Sequence, residues 1–174
     1  MKKFELTSET KINIFGKKLF RIKALISFAD VEAGETGGWV EKEGNVNQSG
    51  DAWVSGNAKV YGNAEVSGDA KVYGNAEVSG NAEVSGDAKV SGNAWVSDNA
   101  KVYGNADYTT IHGFGTQFRT TTFFRCKDKK VRVACGCFFG TIPEFREQVK
   151  NTRKGKIAEE YLMIADLMEK HFEK

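Results

Sequence analysis

The sequence predicts a mainly β protein organised around a parallel β-solenoid, and three observations predict it. Glycine recurs at every sixth residue from Gly38 to Gly104, interrupted once by Asp98. Valine holds one phase of that repeat from Val54 to Val102, and alanine stands two places before each valine. The pair after each valine is Ser or Tyr followed by the recurring Gly (Asp after Ser97), with Asn or Asp next, as in Ser55-Gly56-Asn57 and Ser67-Gly68-Asp69. Internal repetition at a short fixed period is the signature of stacked-repeat architectures.

Each hexad reads Ala-x-Val-Ser/Tyr and then Gly-Asn or Gly-Asp. The first four positions alternate apolar and polar, the period-two pattern of a short strand with one buried face and one wet face. Glycine tolerates positive φ, and Asn or Asp hydrogen-bonds its own backbone, so the pair suits a sharp corner. One such unit cannot bury a core, but stacked units can. A polar low-complexity linker is the rival reading, and it would not keep valine in phase across the run.

The run resembles the hexapeptide repeat of left-handed parallel β-helices, in which an aliphatic residue is followed four places later by a small one, as in Val54…Ala58 and Val60…Ala64. The resemblance implies three hexads per triangular coil, so that residues 38–109 supply twelve hexads and about four coils. At about 4.8 Å per coil the prism would stand roughly 20 Å tall. Ser or Tyr after each valine departs from the family, where Gly, Ala or acidic residues are common. Residues eighteen apart should then stack, placing Glu41, Lys59, Glu77 and Trp95 in one outward column. A second column would hold Asn47, Glu65, Glu83 and Lys101, and a third Trp53, Lys71, Lys89 and Asp107. Like charges meet in the last two, so Val and Ala rather than charge set the register.

The segments on either side act as caps. In residues 1–37, Ile12-Asn13-Ile14-Phe15 and Leu19-Phe20-Arg21-Ile22 flank Gly16-Lys17-Lys18, a hairpin signal, and an end plate is needed because an open coil exposes apolar residues and unpaired edges. In residues 110–174, Thr121–Cys126 and Val131–Cys135 flank Lys127-Asp128-Lys129-Lys130, a second hairpin candidate. A helix begins near Thr141 or Ile142, with Pro143 acceptable in its first turn. Ile157, Tyr161, Ile164, Met168 and Phe172 form one stripe of a final helix, to be buried against its own hairpin or a neighbouring chain.

The flanks also carry a likeness. Arg21-Ile22-Lys23-Ala24-Leu25, the stretch Ala33–Glu41, and Cys135–Thr141 resemble segments of hexapeptide-repeat proteins of bacteriophages and prophages. That resemblance implies a setting in a bacterial cytoplasm rather than a specific activity.

Charge is segregated although the net charge is only +2. Residues 1–37 hold 7 basic and 5 acidic side chains, residues 38–109 hold 5 and 10, and residues 110–174 hold 13 and 8. An acidic solenoid therefore carries a basic C-terminal piece. No apolar run reaches membrane-spanning length, and three cysteines suit a reducing compartment.

Catalytic signals are sparse. The acyltransferases of the hexapeptide fold family use a histidine as general base, commonly on the coils or an extruded loop; here His112 and His171 both lie outside the hexads. The zinc-dependent carbonic anhydrases of the same fold need three histidines, and this chain has two. Cys135 and Cys137 would share a strand face with Cys126 on the partner strand, and buried, reduced thiols explain them better than zinc. Ice binding wants ranks of Thr, which the outward positions lack. No catalytic residue, metal or cofactor is expected.

Binding is the remaining class. Arg119, Arg125, Lys127, Lys129, Lys130 and Arg132 interleave with Phe123 and Phe124 in the C-terminal hairpin, a mixture that grips phosphates and stacks bases. The alternative is a solvated hairpin whose Phe residues face the cap core. Tyr61, Tyr73 and Tyr103, with Trp53 and Trp95, are expected to stand outward on the coils, lining clefts or contacts between subunits. The expectation is a non-enzymatic binding protein, a homotrimer by family resemblance. It would act in counter-defence by sequestering a nucleotide signal or covering a host defence protein. An acyltransferase and a virion component are the rival readings.

Overall fold

A computed structural model describes residues 2–173. The chain divides into two compact units, one ending at Asn105 and the other beginning at Ala106.

The first unit is a parallel β-solenoid of about four turns with its end plate. Strands β1 (Phe4–Ile12) and β2 (Lys18–Ala24) form an antiparallel hairpin, and β2 pairs antiparallel with β3 (Thr36–Val40). Nine two-residue strands follow: β4 (Trp53–Val54), β5 (Lys59–Val60), β6 (Glu65–Val66), β7 (Lys71–Val72), β8 (Glu77–Val78), β9 (Glu83–Val84), β10 (Lys89–Val90), β11 (Trp95–Val96) and β12 (Lys101–Val102). They stack in three parallel sheets, β3-β5-β8-β11, β4-β7-β10 and β6-β9-β12. The hairpin β1–β2 extends the first of these into a six-stranded sheet, so the exposed edge of β3 is paired rather than left open. The segment expected as a separate cap is thus continuous with one wall of the solenoid.

Every valine from Val54 to Val102 is fully buried, and every alanine from Ala52 to Ala100 is at most 1% exposed. The core is therefore a column of small and branched side chains, and most polar residues of the hexads remain outside, Ser79 and Ser97 being buried exceptions. At two corners the Asn side chains hydrogen-bond from coil to coil, Asn57 to Asn75 to Asn93 and Asn63 to Asn81 to Asn99. Asp98 replaces the corner glycine and adopts the same left-handed backbone, at φ 60°.

The eighteen-residue stacking holds for Lys59–Glu77–Trp95, Glu65–Glu83–Lys101 and Trp53–Lys71–Lys89. It fails in the first turn. Trp39, not Glu41, pairs with Lys59, and Val46, not Gln48, bridges to Val66, so that turn is two residues longer. The extra residues lie between Val46 and Val54, where Gln48 is used to hold the end plate. Its side chain accepts from Lys3 N at 2.8 Å and donates to the Phe4 carbonyl at 3.1 Å. Asn47 is correspondingly displaced from its expected column.

Trp53, expected outward, is only 3% exposed because the rings of Phe4 and Phe28 pack edge-on against it at 6.2 and 5.5 Å. The end plate, absent from any consideration of the hexad alone, roofs the first tryptophan of the column.

The second unit is an antiparallel meander of β13 (Tyr108–Phe114), β14 (Arg119–Arg125), β15 (Val131–Cys135) and β16 (Phe138–Thr141), followed by helices α1 (Ile142–Thr152) and α2 (Gly155–Phe172). Thr141 caps α1 in a reciprocal box with Glu144, whose carboxylate accepts from the Thr141 N–H at 2.7 Å. The α2 stripe Tyr161, Ile164, Met168 and Phe172 buries against Phe123 and Val133 of the sheet and Phe145 and Val149 of α1. This face is therefore closed within the chain. Arg146 ties the helices together, donating to Asp166 and Glu169 at 2.7 Å each.

Candidate functional site: a charged cleft in the C-terminal unit

A cleft of about 360 Å³ opens where the β14–β15 turn faces the start of α1 and the end of α2. Arg125, Lys129 and Lys130 supply its basic wall. Val131, Ile142, Pro143 and Phe172 make an apolar floor, and Glu169 and Glu173 stand on the opposite rim. The volume lies in the range of about 300–1,000 Å³ typical of small-molecule sites.

The turn that carries the lysines is built by backbone pairing. Cys126 N–H donates to the Lys130 carbonyl at 3.0 Å, and Lys129 N–H donates to Cys126 at 2.8 Å. Lys129 occupies the left-handed region at φ 63°, which turns the chain sharply enough for both lysine side chains to leave the sheet. Asp128 accepts from Lys130 N–H at 3.0 Å and from Arg132 at 2.8 Å, and these two donors hold its carboxyl below the usual range.

The basic residues named from the sequence do not act together. Arg125 donates to the Phe172 carbonyl at 2.7 Å, pairs with Asp107 at 3.4 Å and lies 5.3 Å from the Phe172 ring. It fastens the end of α2, where a cation also complements the helix dipole. Arg132 is engaged with Asp128. Lys127, Lys129 and Lys130 are exposed on the turn. Arg119 stands at the far end of β14, about 20 Å away at strand rise, and lines a smaller cleft with Cys135, Cys137 and Tyr161.

Several aromatic residues expected to stack a ligand or to stand outward are buried, Phe124 and Trp53 among them. Phe123, named as a ligand-stacking residue with a core-facing ring as the alternative, follows the alternative: it is fully buried and packs edge-on against Phe145 at 6.2 Å. Alternation along β14 sends it and Arg125 to the helix side, and α1 and α2 cover that side. Tyr61, expected outward, is 6% exposed beneath Phe15 of the β1–β2 turn, at 6.2 Å between rings. Its hydroxyl donates to Glu77 at 3.1 Å; burial, then the Glu77 charge, pushes its pKa up to about 12. Tyr73 and Tyr103 are exposed, as expected, and the Lys101 ammonium lies 4.7 Å from the Tyr103 ring.

His112 is exposed on β13, with Thr120 as its hydrogen-bond partner at 3.2 Å. Cys137 does not share a strand face with Cys135. Gly136, at φ 60°, forms with Cys137 the two-residue turn joining β15 to β16, which puts Cys137 in solvent. Cys135 instead accepts from the Thr121 hydroxyl at 3.1 Å, and Cys126 is buried at the other end of the strand pair. Among the described residues no group of three or more His, Cys, Asp or Glu converges as a metal site would require, and no helix is long and apolar enough to cross a membrane.

One cluster escaped the sequence reading: Lys11 and Arg21, whose cationic groups both lie over the ring of Trp39. Strand alternation offered no signal for it, because a register irregularity in β1 between Leu6 and Thr10 decides which side chains reach that wall. No protein-family model matches this chain, and comparison with curated proteins finds no match.

Proposed function

We propose that the protein is a non-enzymatic binding protein that takes up a nucleotide-class ligand in the cleft of its C-terminal unit. The observation that carries the reading is the cleft's composition: two exposed lysines on one wall, an apolar floor ending in Phe172, and carboxylates on the opposite rim. A phosphate would sit at Lys129 and Lys130, a base would lie against Val131 and Pro143, and ribose hydroxyls would donate to Glu173. The likeness of the flanks to phage hexapeptide-repeat proteins supports the setting, counter-defence by sequestering a nucleotide signal in a bacterial cytoplasm. The hexads support assembly as a left-handed β-helical homotrimer, with Tyr73 and Tyr103 at or near the subunit contacts.

Titration calorimetry against cyclic and linear nucleotides tests the ligand. Binding by the wild type, weakened at least tenfold in Lys129→Gln/Lys130→Gln, supports it. Silence across the panel overturns the nucleotide reading and leaves a protein partner as the ligand. Native mass spectrometry tests the trimer in the same preparation.

A further inference from the structure

The outer wall of the six-stranded sheet carries a second charged site. Pairing places Arg21 beside Trp39, Trp39 beside Lys59 and Lys59 beside Glu77 in one row across four strands. Lys11 reaches over from β1, its ammonium 4.0 Å from the centre of the Trp39 ring, and the Arg21 guanidinium lies 4.9 Å from the same ring. Trp39 itself is 6% exposed and packs with Leu19 and Tyr61. The two cations therefore stand on a fixed apolar platform at the protein surface.

The charges on this wall do not balance. Glu77 is the near carboxylate, and it already accepts from Lys59 and from the Tyr61 hydroxyl. Glu41 is engaged by Lys17, and Glu9 on β1 contributes only a weaker attraction to Lys11. Lys11 and Arg21 make no ion pair within 4.0 Å among the described residues, and the Arg21 Nε is buried without a hydrogen-bond partner. Burial, followed by repulsion from Lys59 and Arg21, brings the Lys11 amine down to about 8. Cation–π attraction to the Trp39 ring offsets part of this cost. It does not neutralise the charge.

We infer that Lys11 and Arg21, held over Trp39 with Lys59 beside them, form a binding site for a phosphate-class oxyanion. Three cations face one committed carboxylate, so a dianion satisfies the excess, and the Arg21 fork matches phosphate oxygens better than a point charge would. A cavity of about 300 Å³ on the same wall is lined by Ile14 and Phe15 of the hairpin turn, Trp95, Asn75, Asn93 and Glu77. It meets the cation row only at Glu77, and none of the three cations lines it, so the oxyanion alone defines the ligand class.

The test reads Lys11 itself, in the full chain. The neutral amine attacks the carbonyl of an N-hydroxysuccinimide ester of acetic acid, forming an amide and expelling N-hydroxysuccinimide; mass spectrometry resolves each lysine. Lys11 should label faster than exposed Lys23. Inorganic pyrophosphate should slow Lys11 about tenfold for each unit by which bound anion returns its pKa towards that of a free lysine. Sodium chloride at matched ionic strength should not. Arg21→Gln should lose the protection while Arg21→Lys, which keeps the charge and controls for folding, retains part of it. An unchanged Lys11 rate in pyrophosphate, equal protection by chloride, or full protection in Arg21→Gln overturns the site. Because the readout is confined to Lys11, its result is independent of ligand binding at Lys129 and Lys130.

Discussion

The ammonium of Lys3 donates a hydrogen bond to the carbonyl oxygen of Ala52 at 2.8 Å, at a position where the lysine is 2% exposed. The same ammonium donates to Gly50 at 3.0 Å and lies 4.9 Å from the Phe28 ring. Carbonyls at the first solenoid turn have no preceding coil to bond, and a buried cation on the end plate takes two of them. Lys3→Ala should therefore cost about 2–3 kcal/mol, the scale of losing a charged hydrogen bond and leaving buried acceptors unmet. Urea unfolding followed by far-ultraviolet circular dichroism measures it; a loss below 0.5 kcal/mol, the size of an ordinary surface change, would show the contact to be incidental.

The solenoid corners give a paired prediction. Gly74 has φ +72°, and a Cβ there would meet the Gly92 backbone nitrogen at 3.1 Å in the next coil. Gly74→Ala should destabilise by about 1–2 kcal/mol from the left-handed backbone alone. Asp98 already bears a side chain in that conformation, so Asp98→Gly should be neutral or stabilising by up to about 1 kcal/mol. A lowered denaturation midpoint in Gly74→Ala and an unchanged or raised one in Asp98→Gly are the expected result.

The solenoid was legible because its cause is local and repeated. One hexad specifies strand, corner and core position, and stacking needs only that each unit match the next. What the hexad could not specify was its own end. The two additional residues around Gln48, the roof of Phe4 and Phe28 over Trp53, and the cover of Phe15 over Tyr61 all depend on an N-terminal segment whose side chains fold back onto the wall. Outward in the repeat therefore does not mean exposed in the protein. In the C-terminal unit the stripe of α2 was legible from spacing. The fate of Phe123 depended on which face of β14 the helices would cover, and Arg125 was diverted by the Phe172 carbonyl, a contact between residues far apart in sequence.

Core and surface roles in the basic hairpin separate by substitution. Phe123→Ala should cost about 3–5 kcal/mol and unfold the C-terminal unit before the solenoid, because the ring fills the space between sheet and helices. Lys129→Gln and Lys130→Gln should change stability by less than about 0.5 kcal/mol, as exposed turn residues do. Near-ultraviolet dichroism and urea midpoints distinguish them. A soft response at Phe123 would mean that its enclosure is not maintained in solution.

Stability should also depend on pH in a window set by Lys11. Its amine is held down to about 8, against the usual 10.5 that applies when the chain unfolds. Between those values the unfolded chain binds a proton that the folded chain has released, so stability rises with pH across the window and is lost again as pH falls through 8. Lys3, whose burial also lowers its pKa, acts with the same sign. Tyr61 opposes them only from pH 10 upward, where the unfolded phenol ionises and the folded one, at about 12, does not. Urea midpoints taken from pH 8 to 10 should therefore increase, and Lys11→Met should flatten the rise without abolishing it, since Lys3 remains. An undiminished slope in Lys11→Met would mean that burial, with the Lys59 and Arg21 charges behind it, does not hold this amine down.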